Sequence, residues 1–367
     1  MKVLYDHQIF TNQRFGGISR YFYELIKRFN GDIYSCKVGA YLSNNAYYNK
    51  DVNPDLKSFF PENHFRGKDR IIKFANQSFS SKSIKGQDYD IFHPTYYDSY
   101  FLKIIKDKPF VVTFYDMIHE KFSNQFEDIN FVNQTLGNKK RILEHASKII
   151  AISETTKQDI IEIFEIDSKK IEVVYLGNSL SNSSLNYNRI VNEDYILFVG
   201  NRGVYKNFIF FVTAIADLLL NNNLKLICAG GGEFTQQELF LLSSLNIQNR
   251  VVFKKIINDD VLANYYEHAL FFCFPSLYEG FGIPVLEAFS CGCPALLSNG
   301  GSLPEIGGDA ALYFESTSMN SLIAAANKLL SDELLRKKLV EKGNTRLEHF
   351  SWDKTYQDHL NIYESIL

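Results

Sequence analysis

The sequence predicts an α/β protein built from two doubly wound, Rossmann-like domains that face one another across a central cleft. Three observations carry that expectation. The chain has 367 residues, and at roughly 100–200 residues per domain that length suits two. Short, continuously apolar runs alternate with amphipathic stretches in both halves, as parallel strands covered on both faces require. Near the middle, residues 177–194 read GNSLSNSSLNYNRIVNED, a polar, Asn- and Ser-rich interruption of linker character.

The elements are justified in order. Lys2–Tyr5 reads as a buried strand. The turn Phe15-Gly16-Gly17 then leads into a helix over Ile18–Phe29, with apolar residues at 18, 22, 25, 26 and 29. Further strands are expected at Tyr34–Tyr41, Ile91–His93, Phe110–Tyr115, Ile149–Ile152 and Ile171–Tyr175, with helices at Lys139–Ala146 and Thr155–Phe164. After the interruption come strand Tyr195–Val199, helix Asn207–Leu220, strand Lys225–Ala229, helix Gln236–Leu245, strand Val251–Phe253 and helix Asp259–His268. Strand Leu270–Phe274, helix Pro284–Phe289, strand Ala295–Ser298 and a helical tail from Ser321 complete the pattern. The expected domains are residues 1–185 and 186–350, followed by a terminal helix over 351–367 with Trp352, Tyr356, Leu360 and Tyr363 on one packing face.

Composition narrows the function. Hydrophobic residues make up 46% and charged residues 22%, ordinary values for a globular chain. Lys+Arg number 39 against Asp+Glu 42, so nothing global favours nucleic acid as a partner. The balance hides an asymmetry: residues 1–185 carry 25 Lys+Arg and 22 Asp+Glu, residues 186–367 carry 14 and 20. Five cysteines without CxxC or Cys/His spacing read as reduced thiols of a cytoplasmic protein. MKVLYDHQIF lacks the layout of a signal peptide, and no apolar run of about 18 residues predicts a membrane span.

The chemistry concentrates in Pro275–Pro294, PSLYEGFGIPVLEAFSCGCP. Glu279 lies in a loop after an apolar strand, and Gly280-Phe281-Gly282 lets the backbone bend and approach a ligand. Pro284 suits the first turn of a helix, so the amides around Gly282–Leu286 form a helix N-terminus fitted to phosphate oxygens. Glu287 lies one turn further in. From spacing alone the two glutamates read equally as an exposed loop acid and an ordinary helix residue. Arg202 and Lys206, after the strand ending at Gly200, are candidates to neutralise a diphosphate, or else solvated turn charges. Gly230-Gly231-Gly232 adds a tight turn on the same edge, yet there is no GxGxxG and no P-loop.

These residues together resemble a known family. Glu279 and Glu287, within YEGFG-x-P-x-LEA, are similar to the Glu-x7-Glu signature of the family 4 retaining glycosyltransferases, which have the GT-B fold. SLPEIGGDAALYF (302–314), FVGNRGVYKNF (198–208), ICAGGGE (227–233), the 251–276 run, FGGISRY (15–21), VVTFYDMIHE (111–120), IAISETTKQDI (150–160) and IEVVYLGN (171–178) extend the resemblance over nearly the whole chain. It implies that Glu279 contacts the transferred sugar and Glu287 the ribose. Arg202 and Lys206 grip the diphosphate, and Gly200, Gly280, Phe281, Gly282 and Ile283 line the donor. Ile257 lies near the base, and Gly16 and Gly17 approach donor phosphate or acceptor from the first domain. The terminal helix of such a fold commonly crosses back to the first domain.

One departure concerns the first half. Tyr115 precedes Asp116 where many relatives have a histidine; Tyr115 cannot titrate near neutrality, and His119 is the residue that could compensate. The resemblance implies retaining transfer of a mannose- or glucose-type sugar from a GDP- or UDP-linked donor to a glycan or lipid-linked acceptor, with no cofactor and no metal. The setting is cell-surface polysaccharide synthesis. Alternatives are a nucleotide-sugar epimerase or a phosphorylase on the same fold, or an inactive sugar-nucleotide binding module. Asp88-Tyr89-Asp90 has the outline of a DxD metal motif but precedes a strand and reads as an entry turn. The stretch 65–85, FRGKDRIIKFANQSFSSKSIK, reads either as a solvated helix or as a peripheral contact with the inner face of a membrane.

Overall fold

Among the described residues of the computed structural model, twelve short and mostly buried strands fall into two units, Met1–Leu176 with Trp352–Leu367, and Gly177–Ser351. The structure describes the chain apart from residues 30, 32, 50–52, 54–55, 64, 124–128 and 181–187, and apart from the side chains of 129–131. The expected boundary at 185 lies outside the described residues. The contacts divide the chain at Leu176/Gly177, and the last helix belongs to the first unit.

The second unit is a six-stranded parallel sheet in the order β12-β11-β10-β7-β8-β9. Its strands are β7 (Tyr195–Val199), β8 (Lys225–Ala229), β9 (Val251–Lys254), β10 (Phe271–Phe274), β11 (Ala295–Ser298) and β12 (Ala311–Phe314). The last was not expected from sequence, because ALYF is short and lies between glycines and acids. Every pairing is parallel, with Phe271 beside Ile196 where β10 meets β7. From β7 the chain advances to β8 and β9 on one side and later to β10, β11 and β12 on the other. The topological switch point therefore lies between β7 and β10, where doubly wound sheets bind ligands at the strands' carboxyl ends.

Helices α7 (Phe208–Asn221), α8 (Gln236–Ser244), α9 (Asp259–Glu267), α10 (Ile283–Ser290), α11 (Leu303–Gly307), α12 (Met319–Ser331) and α13 (Glu333–Leu347) cover this sheet. Phe198, Phe211, Ile215, Leu219 and Leu322 are fully buried in its core, each contributing roughly 1.5–3 kcal/mol. Residues Val204–Asn221 are apolar enough by length and composition to match a membrane span, with mean hydropathy 1.4. The α7 part instead supplies Phe208, Phe211, Val212, Ile215 and Leu219 to this core.

The first unit has two three-stranded parallel ladders, β2-β1-β3 and β4-β5-β6, joined by a single bridge between Phe92 and Phe110. The strands are β1 (Lys2–Tyr5), β2 (Ser35–Val38), β3 (Ile91–His93), β4 (Val111–Phe114), β5 (Lys148–Ala151) and β6 (Ile171–Val173). β2 stops short of the expected Tyr41, whose amide, with that of Leu42, is accepted by Asn76 Oδ1 at 3.0 and 2.8 Å. The helices are α1 (Gln8–Asn12), α2 (Gly17–Ile26), α3 (Lys68–Gly86), α4 (Ile118–Lys121), α5 (Ile129–His145) and α6 (Glu154–Phe164). α5 starts ten residues before the expected Lys139 and ends at His145; Ile129, Val132 and Leu136 at helical spacing were the available signal.

The last helix, α14 (Trp352–Glu364), packs on α2 and joins a buried chain of hydrogen bonds. His359 Nδ1 faces the Thr355 carbonyl at 2.6 Å, so it carries the proton and Nε2 accepts from the Tyr21 hydroxyl at 2.5 Å. Tyr21 in turn accepts from Thr113 at 2.8 Å, and Thr113 accepts from His93 Nε2 at 3.0 Å. His93 Nδ1 then accepts from Tyr363 at 2.7 Å, and Tyr363 accepts from Tyr5 at 3.1 Å. The carbonyl at one end fixes the direction of every bond.

Candidate active site

In the second unit two loops meet at the switch point. After β7, Gly200 adopts φ +112°, and the 3-10 turn Val204–Lys206 brings Lys206 forward. After β10, residues 275–282 lead to α10, where Gly282 has φ +110°. Lys206 Nζ donates to Glu279 Oε1 at 2.7 Å, with the two side chains only 12% and 11% exposed. The ammonium also lies 4.7 Å above the Phe274 ring, and Leu277 N donates to the Tyr205 carbonyl at 2.7 Å. The two loops are thus stitched by one backbone bond and one ion pair.

A third loop holds Glu279 from behind. The Ser302 amide and hydroxyl both donate to the Glu279 carbonyl at 3.0 Å, and the hydroxyl also reaches the Phe281 carbonyl at 2.8 Å. Gly301, at φ +59°, lies so close that an added Cβ would be 2.6 Å from the Glu279 nitrogen. Any side chain there would push the loop off its place. Sequence reasoning gave Ser302 and Gly301 no role; the doubled glycine after a buried strand was the available signal.

Pro284 lies in the first turn of α10, as the sequence predicts. Glu287 is buried one turn further in and accepts from the Tyr266 hydroxyl at 3.1 Å. Tyr266, on α9, is fully buried and was not singled out from sequence. Phe281 is buried with its ring 5.9 Å from Phe350. Ile257 lies 72% exposed between β9 and α9, and Ile283 opens α10.

Arg202 sits in the same loop as Lys206 but points to other partners. Its Nε donates to Glu238 Oε1 at 2.7 Å, and Nη2 reaches the carbonyls of Gly232 and Glu233 at 3.0 and 2.7 Å. The guanidinium stacks 4.7 Å from Phe234, and Nη1 alone is buried without a hydrogen-bond partner. Burial pushes the Glu238 carboxyl up, but Arg202 and the Thr235 amide outweigh it and hold the group below its usual range. Arg202 therefore clasps the turn Gly230–Gly232, whose φ values are +81°, +75° and +82°, against Gly200.

In the first unit, Asp116 caps the start of α4, its Oδ1 accepting from Ile118 N at 3.1 Å. Lys139, fully buried, donates to the Asp116 carbonyl at 3.1 Å and pairs with Glu120 at 3.0 Å. Burial, then the Lys139 charge, lowers the pKa of His119 in α4. Tyr115 is buried, its hydroxyl without a hydrogen-bond partner and its pKa driven far up by burial. Gly16 and Gly17 lie at the start of α2. Asp88 and Asp90 hold the first strand: Lys2 Nζ pairs with Asp88 and Lys2 N donates to Asp90, both at 2.7 Å. Among the described residues no group of three His, Cys, Asp or Glu is placed to hold a metal ion.

Comparison with known proteins gives a consistent result. Residues 184–346 match the family described as Glycosyl transferases group 1, and residues 15–181 match Glycosyltransferase Family 4. The O-antigen chain mannosyltransferase B of Escherichia coli is 27% identical over 60% of this chain and 61% of its own length. An uncharacterized glycosyltransferase of Methanocaldococcus jannaschii is 28% identical over 59% of this chain and 60% of its own. The chain thus spans about three-fifths of these relatives. In fold it resembles a sucrose-phosphate synthase of Thermosynechococcus elongatus, with TM-score 0.76 and 19% identity over 100% of this chain and 98% of that one. Anabaena HepE, solved with UDP and glucose, gives TM-score 0.75 and 16% identity over 100% of both chains. Matched in turn by two family descriptions across both halves, the chain belongs to glycosyltransferase family 4 and has the GT-B fold.

Proposed function

We propose that this protein is a retaining hexosyltransferase that works without a divalent metal ion. It moves a mannose- or glucose-type residue from a GDP- or UDP-linked donor to a glycan or lipid-linked acceptor, on the cytoplasmic side, in cell-surface polysaccharide synthesis. The observation that carries the reading is the Lys206–Glu279 pair at the switch point, beside the N-terminus of α10. The mannosyltransferase among the relatives and the UDP and glucose bound by HepE support the substrate class.

In this reading the Lys206 ammonium, with three N–H donors and one of them on Glu279, turns others to the diphosphate. Glu279 takes sugar hydroxyls and Glu287 the ribose diol. Gly200, Ile257 and Gly280–Ile283 line the donor, while Arg202 holds the loop. The bond between the sugar's anomeric carbon and the diphosphate oxygen breaks, and the acceptor oxygen bonds that carbon on the same face. The acceptor's proton passes to the departing phosphate oxygen. Catalysis is then electrostatic stabilisation and positioning, with Gly17, Asp116 and His119 serving the acceptor half.

Product analysis by NMR tests this, with calorimetry against GDP and UDP to fix the base. Transfer with an unchanged anomeric configuration, unaffected by EDTA, is expected; inversion, or loss of activity on chelation, refutes it. Isomerised donor formed without acceptor would favour the epimerase instead. A peripheral membrane contact is a second part of the proposal, favoured by Ile71 and Phe74 on α3, 48% and 77% exposed among basic residues. Sedimentation with anionic vesicles at low salt should pull the protein down, and absence of binding removes this part.

A further inference from the structure

Two cavities adjoin in the first unit, beyond the carboxyl ends of β1 and β3, and they differ in chemistry. From β1 the chain moves to β2 on one side and to β3 on the other, so this is the switch point of the first sheet. The smaller cavity, about 140 Å³, is walled by His7 and Gln8 after β1, Tyr96 and Asp98 after β3, and Gln134 and Asn138 on α5. The larger, about 430 Å³, is walled by Arg14, Lys68, Arg70 and Lys73, with Asp69 its only carboxylate. Asn12 and Lys73 line both.

The small cavity is polar and held rigidly. Gln8 Nε2 donates to Asp6 Oδ2 at 2.7 Å and to the Asp98 carbonyl at 3.0 Å, while Asp98 N donates to Gln8 Oε1 at 2.7 Å. His7 is 2% exposed and its Nδ1 has no hydrogen-bond partner. Asn138 Oδ1 accepts from Ser99 at 2.8 Å, which turns the amide nitrogen toward other acceptors. Amides, an imidazole and tyrosine rings in one small hollow form the donor, acceptor and ring-face lining that saccharide hydroxyls need.

The large cavity is cationic with little internal neutralisation. Among the described residues neither Arg14 nor Arg70 has an ion pair. Lys68 is buried and donates to the carbonyls of Phe60 and Asn63 at 2.7 and 3.0 Å, with no ion pair among the described residues. Lys73 reaches Asp98 only at 3.5 Å. Four cations around one carboxylate set a field that favours an anion carrying charge on several oxygens.

We propose that the paired cavities are the acceptor subsite and select a saccharide bearing an anionic group, a phosphate or a carboxylate. The sugar hydroxyls meet His7, Gln134 and Asn138, and the anion meets Arg14, Arg70 and Lys73. The assignment rests on the glycosyltransferase reading above, which names an acceptor but not its charge.

The test is a ligand titration by NMR on the intact chain, using mannose, mannose 1-phosphate, galacturonate and inorganic phosphate as probes. Mannose 1-phosphate or galacturonate should bind at least tenfold tighter than mannose, and the tighter of the two identifies the anion. Arg14→Ala/Arg70→Ala should lose tenfold or more of that affinity while binding of GDP or UDP stays unchanged. Asn138→Ala should weaken the sugar probes but leave inorganic phosphate unaffected. Equal affinity for mannose and the charged sugars, no effect of the double variant, or inorganic phosphate binding as tightly as either sugar would each overturn the assignment. Failure of the wild type to bind any nucleotide diphosphate would instead sink the donor reading, and the sugar titration remains readable beside it.

Discussion

Acidification should release α14 from the first unit, and the reason lies in the direction of the buried hydrogen-bond chain. His359 and His93 each use one ring nitrogen as donor and the other as acceptor, so a second proton on either ring faces a hydroxyl already donating to it. Their surroundings are Tyr5, Tyr21, Tyr363, Thr113 and each other, with ring centroids 6.1 Å apart, and among the described residues no carboxylate compensates. Burial brings the His359 pKa down from 6.5 to about 4, and burial followed by the His359 charge holds His93 well below its usual range.

The folded pKa is depressed for a base, so the stabilisation is complete above pH 6.5 and is lost as pH falls toward 4. For His359 alone the linkage relation gives a loss of about 2 kcal/mol by pH 5 and about 3 kcal/mol at the acid limit. His93 adds in the same direction. Trp352, the only tryptophan in the chain, starts α14 and is 5% exposed, so its emission reports undocking directly. A red shift and falling denaturation midpoint between pH 6.5 and 4.5 are expected, and His359→Gln should flatten much of the slope. An unchanged emission across this range, or an identical slope in the variant, would refute the reasoning.

Other outcomes follow from the donor site. Lys206→Ala should lower turnover by about 100- to 1,000-fold, equivalent to roughly 3–4 kcal/mol, with the fold retained but the melting point lowered because Glu279 loses its buried partner; steady-state rates beside a melting curve check it. Gly301→Ala should destabilise by about 1–3 kcal/mol from the left-handed backbone alone and depress turnover further by displacing Glu279. Near-normal activity would remove the clamp role of that loop. Tyr266→Phe removes the hydroxyl donated to Glu287 and should cost about 1.5–3 kcal/mol of stability, raising the donor KM more than it changes kcat.

Much of the second unit was legible because its signals are local. Strand runs such as Tyr195–Val199 are apolar on both faces, Pro284 announces its helix, and Glu279 stands among glycines that need unusual backbone. What sequence could not supply were partners far apart in the chain. Arg202 looks like a free diphosphate ligand until Glu238 is found against it, and Ser302 is an ordinary helix-start serine until its hydroxyl meets two carbonyls of the Glu279 loop. Lys139 opens an expected helix with nothing local to mark it, yet it is the buried counterion of Glu120. In the first unit Asn76, mid-helix and unremarkable in pattern, takes the amides of Tyr41 and Leu42 beyond the end of β2.

The hydrogen bond between Tyr5 and Tyr363 spans 358 positions, with the whole second unit between its ends. During synthesis, residues 177–351 are a contiguous segment that can fold as soon as it emerges. The first unit, begun earlier, must wait with Tyr5, Tyr21 and His93 each short of a partner until α14 arrives. Its late completion is a ring closure with a large entropic term, softened because that term grows only logarithmically with length. The first part of the chain to leave the ribosome is thus the last to be finished, and in that interval it is the half that most needs protection from aggregation.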